Sequence, residues 1–191
     1  MTAIRTIDPT ARFVLADPVL NIVPHPHHLH DAGGAEGHRL AQYQAWDMLS
    51  GRSWPQLGGR PELLDIVGVN FYSNNQWILG GPTLNRGDPL LRPFRSILAE
   101  VYPRYGRPIF VAETGCEGVG RPNRLSYVAA EVRAAIPLGV PVEGICLYPI
   151  LNHPGWDDRR DRPTGMVEHT PHAAGRVPYA PLADAIAREQ A

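Results

Sequence analysis

The sequence predicts an α/β fold in which strands and helices alternate around a parallel sheet. Three observations predict it. Four short runs, Ala11–Ala16, Leu63–Phe71, Pro108–Glu113 and Val142–Tyr148, have the length of strands and are rich in Val, Ile and aromatic residues. None alternates strictly between apolar and polar, which is the pattern of strands covered on both faces. Amphipathic stretches separate them, so the order reads β-α-β-α-β-α-β-α, as in right-handed βαβ units. The 191 residues read as a single domain, 1–191, long enough for a sizeable core.

Each element follows from its residues. Ala3, Ile4 and Ile7 look like the end of a helix that Asp8-Pro9 stops. The first strand runs into Asp17-Pro18 and the cluster His25-Pro-His-His-Leu-His30. From Ala35 to Leu49, the residues Leu40, Tyr43, Trp46 and Leu49 recur at helical spacing. The second strand ends in Asn70-Phe-Tyr-Ser-Asn-Asn-Gln-Trp77. Pro93 to Tyr105 places Phe94, Ile97, Leu98, Val101 and Tyr105 on one side of a helix. The third strand ends on Glu113-Thr-Gly, and Leu125 to Leu138 is helical through Leu125, Val128, Val132 and Ile136. The fourth strand runs into Tyr148-Pro-Ile-Leu-Asn-His-Pro-Gly-Trp-Asp-Asp158, and Ala180–Glu189 is a final helix. Polar and aromatic residues thus gather at C-terminal strand ends, as on the active face of an α/β barrel or in the crevice of an open doubly wound sheet.

Composition excludes several classes. The net charge of −1 gives no electrostatic case for nucleic acid or an anionic membrane surface. All 18 basic residues are Arg, so Lys chemistry is excluded. There is no G-x-G-x-x-G or Walker motif for a nucleotide. Cys116 and Cys146 make no disulfide framework and read as small, reduced core residues. No apolar run approaches the roughly 20 residues of a membrane span, and the first residues have no secretory apolar region. The expected location is cytoplasmic.

Glu113 is the residue on which the chemistry turns. Four apolar residues, Ile-Phe-Val-Ala, lead straight into a carboxylate at a strand mouth. On its own this reads either as a structural Glu held by an Arg or a turn, or as a site residue. The Glu113-Thr-Gly end resembles the Thr-Glu-Asn-Gly nucleophile strand of the family-one β-glucosidases, in clan A of the glycoside hydrolases. Asp65-Ile-Val-Gly-Val-Asn-Phe-Tyr-Ser73 is similar to that family's Asp-Phe-Leu-Gly-Ile-Asn-Tyr-Tyr-Ser run. Gly144-Ile-Cys-Leu-Tyr-Pro-Ile-Leu-Asn-His-Pro-Gly-Trp156 is similar to its Gly-Tyr-Phe-Val-Trp-Ser-Leu-Leu-Asp-Asn-Phe-Glu-Trp. The blocks occur in the family's order, across residues 60–166.

The resemblance implies a partial (β/α)8 TIM barrel, strands five to eight with their helices, and a carbohydrate substrate. It implies Glu113 as the nucleophile and Tyr72 as the tyrosine that hydrogen-bonds it. Asn70 matches a polar residue at the same strand mouth, and Trp156 a sugar-stacking tryptophan. Trp77, Tyr148, Asn152, His153 and His25 complete the expected sugar contacts. No cofactor and no metal are implied, although the cluster His25–His30 invites a metal reading and hence a metal-dependent hydrolase. The departures matter too. The family's Glu before the last Trp is Gly155 here, its strand Trp is Tyr148, and its Asp-Asn pair is Asn152-His153.

Retaining hydrolysis needs a second carboxyl about 5–5.5 Å from the nucleophile, serving as acid/base. The family's acid/base lies in an Asn-Glu-Pro motif on strand four, and this chain has no Asn-Glu pair. Asp157 or Asp158 could in principle supply the acid, but a solvated loop with Arg159, Arg160 and Arg162 is the plainer reading. Glu143 reads as structural. The expectation is a chain that lacks strands one to four and exposes two sheet edges. Its partner would be an N-terminal half or a second copy. The alternative is a non-catalytic carbohydrate-binding pseudo-enzyme, or one half of a two-chain barrel.

Overall fold

The computed structural model describes residues 1–155, 157–169 and 175–190. A short helix α1 (Thr2–Ile7) opens the chain and ends at Asp8, whose backbone is extended. Arg5 ties it to the sheet, donating to the Glu62 carbonyl at 2.8 Å, pairing with Asp65 and lying 5.0 Å over the Phe13 ring. The chain continues through β1 (Val14–Pro18), β2 (Asn21–Val23), α2 (Ala32–Ala41), α3 (Gln44–Leu49), β3 (Ile66–Asn70) and β4 (Gln76–Ile78). Then come α4 (Phe94–Tyr105), β5 (Ile109–Thr114), α5 (Arg121–Ala135) and β6 (Val142–Leu147). Two antiparallel pairs follow, β7 (His153–Pro154) with β8 (Asp161–Arg162) and β9 (Val167–His169) with β10 (Arg176–Pro178). Helix α6 (Ala180–Gln190) closes the described chain.

The main sheet is four-stranded, in the order β1-β3-β5-β6, with every pairing parallel. Strand order therefore follows chain order, as successive βαβ crossovers dictate. β2 and β4 form a separate parallel pair. The core lies on the helix side of the sheet. Val67, Val69, Ile109 and Val111 meet Phe94, Ile97, Leu98 and Val101 of α4 and Val128 and Val132 of α5. The helix residues recur at three- and four-residue spacing because that period keeps them on one face. Each such side chain, once buried, contributes about 1.5–3 kcal/mol. Trp46 is fully buried, and its indole N–H donates to the Leu15 carbonyl at 2.8 Å, so its one polar atom is satisfied.

Three sequence expectations need correction. The helix expected over Ala35–Leu49 is two, because Gln42 and Tyr43 leave the ladder between α2 and α3. Gln42 accepts from the Leu20 N–H at 2.8 Å and donates to the Leu20 carbonyl at 3.2 Å. The break thus satisfies the backbone between β1 and β2. The outer strands are not covered on both faces either. In β1 Val14, Ala16 and Pro18 stand exposed while Leu15 and Asp17 are half-buried, because nothing in the described chain packs on that side. The cysteines are not core residues either: Cys146, on the outer strand β6, is exposed, and Cys116, beyond the end of β5, is only half-buried. No helix among the described residues is long and apolar enough to cross a membrane.

Candidate active site

The C-terminal ends of β3, β5 and β6 meet at one place. Asn70, the last residue of β3, is in register with Glu113 on β5, after a shift in pairing beyond Val69. The irregularity lets β5 present Glu113 at its mouth while Thr114 turns into the core, fully buried, and donates to the Phe71 carbonyl at 2.7 Å. Backbone bonds stitch the ends together: Phe71 N–H to Glu113 O at 2.9 Å and Tyr148 N–H to Thr114 O at 2.9 Å. Gly115 follows because nothing larger fits. A Cβ there would stand 2.1 Å from the Tyr148 carbonyl oxygen.

Glu113 lines a cleft of about 790 Å³ together with Tyr72, Ser73, Cys116, Tyr148 and His153. The Tyr72 hydroxyl donates to Glu113 Oε2 at 3.0 Å. Burial pushes the Tyr72 phenol well above its ordinary range, and the carboxylate it bonds pushes it further. Tyr72 therefore stays protonated and keeps donating at any ordinary pH. Asn70 Oδ1 is buried and has no hydrogen-bond partner among the described residues. An unpaired buried acceptor beside a strand-end carboxylate is the kind of cost that functional sites carry.

Two further carboxylates line the cleft, Glu117 and Asp157. Glu117 is engaged by Arg160, whose Nη2 lies 3.0 Å away, with Arg162 at 3.9 Å. The Arg160 bond holds its carboxyl below the usual range, so it stays ionised. Asp157 has no ion pair among the described residues. Asp158 instead accepts from the Arg160 N–H at 3.2 Å and pairs with Arg162 at 3.3 Å. Glu143 lies at the other end of β6, paired with Arg12 at 2.6 Å.

The other residues singled out in the sequence are scattered. Tyr148 and His153 line the cleft, their rings 6.2 Å apart. Asn152 turns its Oδ1 to the Gly165 N–H at 2.8 Å and so serves the loop. Trp77 lies in β4 beside β2, half-buried, and is not a cleft-lining residue. His25 packs against His28, ring centroids 4.8 Å apart, also outside the cleft lining. Among the described residues no group of three or more His, Cys, Asp or Glu is arranged to hold a metal. Trp156 lies outside the described residues. Sequence reasoning missed Cys116, Arg162 and Thr164 as cleft residues. Arg162 and Thr164 come from the segment after the last strand motif, where no pattern marked them. The Cys116 signal was available, since it stands three residues beyond Glu113.

The fold gives the class that the chain resembles: its architecture is similar to that of the β-glucosidases. Among solved structures it is similar to the β-glucosidase from Thermotoga maritima in complex with glucoimidazole. That match has a TM-score of 0.72 at 16% identity, over 98% of this chain and 54% of that one. It is also similar to the family 1 β-glucosidase from the same organism, with a TM-score of 0.73 at 15% identity over 95% and 51% of the two chains. The AHE enzyme from Alicyclobacillus herbarius gives 0.75 at 16% identity over 98% and 53%. The chain thus spans about half the length of the structures it matches. No protein-family model matches it, and no curated protein does.

Proposed function

We propose that the chain is part of a retaining glycoside hydrolase, with Glu113 as its nucleophile. The observation that carries this reading is the strand-end pair, with Glu113 on β5 accepting a 3.0 Å hydrogen bond from Tyr72 inside an open cleft. An ionised Glu113 attacks the anomeric carbon of a β-glycoside and forms a glycosyl ester, which water then hydrolyses. Tyr72 holds one carboxylate oxygen, leaving the other to attack. Tyr148 and His153 supply aromatic and polar contacts to the sugar.

The four parallel strands are strands five to eight of an eight-stranded barrel. In support stand the parallel order, the exposed residues of β1 and the fold shared with β-glucosidases about twice as long. The acid/base comes from a complementary N-terminal half, since the chain has no Asn-Glu pair, Glu117 is paired with Arg160, and Asp157 stands on the solvated loop with Arg159, Arg160 and Arg162. The same observation favours a second reading, a sugar-binding chain without turnover.

Leaving-group chemistry separates the two. A 2,4-dinitrophenolate departs without protonation, so glycosylation of Glu113 needs no general acid. The chain is expected to release dinitrophenolate from an activated aryl β-glycoside, and the Glu113→Gln variant to release none. Equal release by both proteins would sink the nucleophile assignment. Sugar binding without any release would favour the binding reading.

A further inference from the structure

A second, smaller cavity of about 260 Å³ adjoins the Glu113 cleft. It shares Tyr72, Ser73 and Cys116 with the Glu113 cleft, but its character differs. Phe71, Leu84 and Tyr127 give it apolar walls, and Arg86, Arg124 and Asn123 face it. Among the described residues no Asp or Glu lines it.

Arg124 is the unusual residue. Its Nε donates to Thr114 Oγ1 at 3.2 Å and its Nη2 to the Phe71 carbonyl at 2.5 Å. The guanidinium lies 4.6 Å over the Phe71 ring. Every one of these partners is neutral. Other partly buried arginines of the chain have carboxylates: Arg39 and Arg92 share Glu100, Arg104 has Asp47 and Arg121 has Glu168. Arg124 has no ion pair among the described residues, and its Nη1 has no hydrogen-bond partner there. Burial pushes its guanidinium below the ordinary range. Arg86 stands exposed at the same cavity and likewise has neither hydrogen bond nor ion pair among the described residues.

A desolvated cation without a counter-charge is costly, and an arriving anion recovers that cost. A guanidinium fork matches two oxygens of a carboxylate, sulfate or phosphate. Gly120, just before the 15-residue helix α5, and Asn123 in its first turn join the lining, bringing the positive end of the helix dipole to the same space.

We infer that this cavity binds a small oxyanion, held between Arg124 and Arg86, with the apolar walls taking up the group that carries it. The site stands independently of the role of Glu113, because its occupancy is read without turnover.

Calorimetric titration tests it, with inorganic phosphate and phenyl phosphate as probes at constant ionic strength in chloride. The wild-type chain is expected to bind saturably at about millimolar concentration, and Arg86→Gln to weaken binding about tenfold. Arg124→Gln is expected to abolish it, and Arg188→Gln, on the exposed side of α6, to leave it unchanged. Arg124 also ties the ends of β3 and β5, so a circular-dichroism spectrum must first show that its variant folds; if it does not, the exposed Arg86 carries the test. Tighter binding of phenyl phosphate than of free phosphate is expected from the apolar walls, and equal binding of the two would contradict their part in the site. A non-saturable response, or saturable binding that Arg86→Gln leaves unchanged, overturns the inference.

Discussion

Glu113 and Tyr72 make a pair in which each residue constrains the other. Tyr72 lies too far up the pH scale to lose its proton, so it is a permanent donor to the carboxylate. Removing that donor in Tyr72→Phe takes away one hydrogen bond to a charged group, worth about 1.5–3 kcal/mol, or roughly tenfold to a hundredfold in rate. Turnover of an activated aryl glycoside measures this; an unchanged rate would separate Tyr72 from the chemistry. The place of Glu113 at a strand mouth was legible from the apolar run Ile-Phe-Val-Ala before it, but its expected role came only through the resemblance. Tyr72 was legible only through its resemblance to a family pattern. Arg124 was not legible at all, since an Arg near the start of a helix normally reads as solvated surface. Its burial comes from the ends of β3 and β5 folding over it, which no local pattern encodes.

At the scale of elements, the helices were readable where one face does all the packing, as in α4, whose buried Phe94, Ile97, Leu98 and Val101 keep helical spacing. The break between α2 and α3 was not readable, because it serves the Leu20 backbone, a partner 22 positions away in the chain. Two predictions belong here. Gly115→Ala forces a Cβ against the Tyr148 carbonyl, so β5 and the segment after β6 must part. The expected cost is about 1–3 kcal/mol of unfolding free energy, measured by urea denaturation, and a wild-type midpoint would contradict it. Glu100 joins α4 to α2, taking bonds from Arg92, Arg39 and Tyr43. Burial alone would raise its carboxyl pKa, but these bonds together outweigh burial and hold it below the ordinary 4.5. Its contribution to stability is thus complete above that value and is lost as pH falls through the lower, folded one. Thermal melts in acid should show wild type losing stability over this window, with Glu100→Gln less stable at neutral pH and flatter below it. Parallel curves would contradict the assignment.

Over the whole molecule, the alternating α/β order was readable from composition and spacing, and the parallel sheet has the expected order. An open sheet with two exposed edges was also expected, through the resemblance to half of a barrel rather than through any local pattern. Val14 is 44% exposed and Tyr148 41%, at opposite edges of the four strands. On the half-barrel reading both edges need a partner, and the chain should associate with itself or with a complementary half. Sedimentation across a concentration series should give a mass rising above the 21.0 kDa of one chain, and Val14→Asp should suppress it. A constant monomer mass would contradict self-association, leaving the complementary half as the partner.

The feature that joins the scales is a covalent bond at Glu113, since pair, strand end and half-barrel all exist in this reading to deliver it to a sugar. A 2,4-dinitrophenyl 2-deoxy-2-fluoro-β-glycoside forms that bond without a general acid, and its fluorine slows the hydrolysis that would release it. Mass spectrometry of the treated chain should find one fluoroglycosyl group, mapped by peptide sequencing to Glu113 and missing from Glu113→Gln. A label on any other carboxylate, or an adduct that persists in Glu113→Gln, would contradict the account.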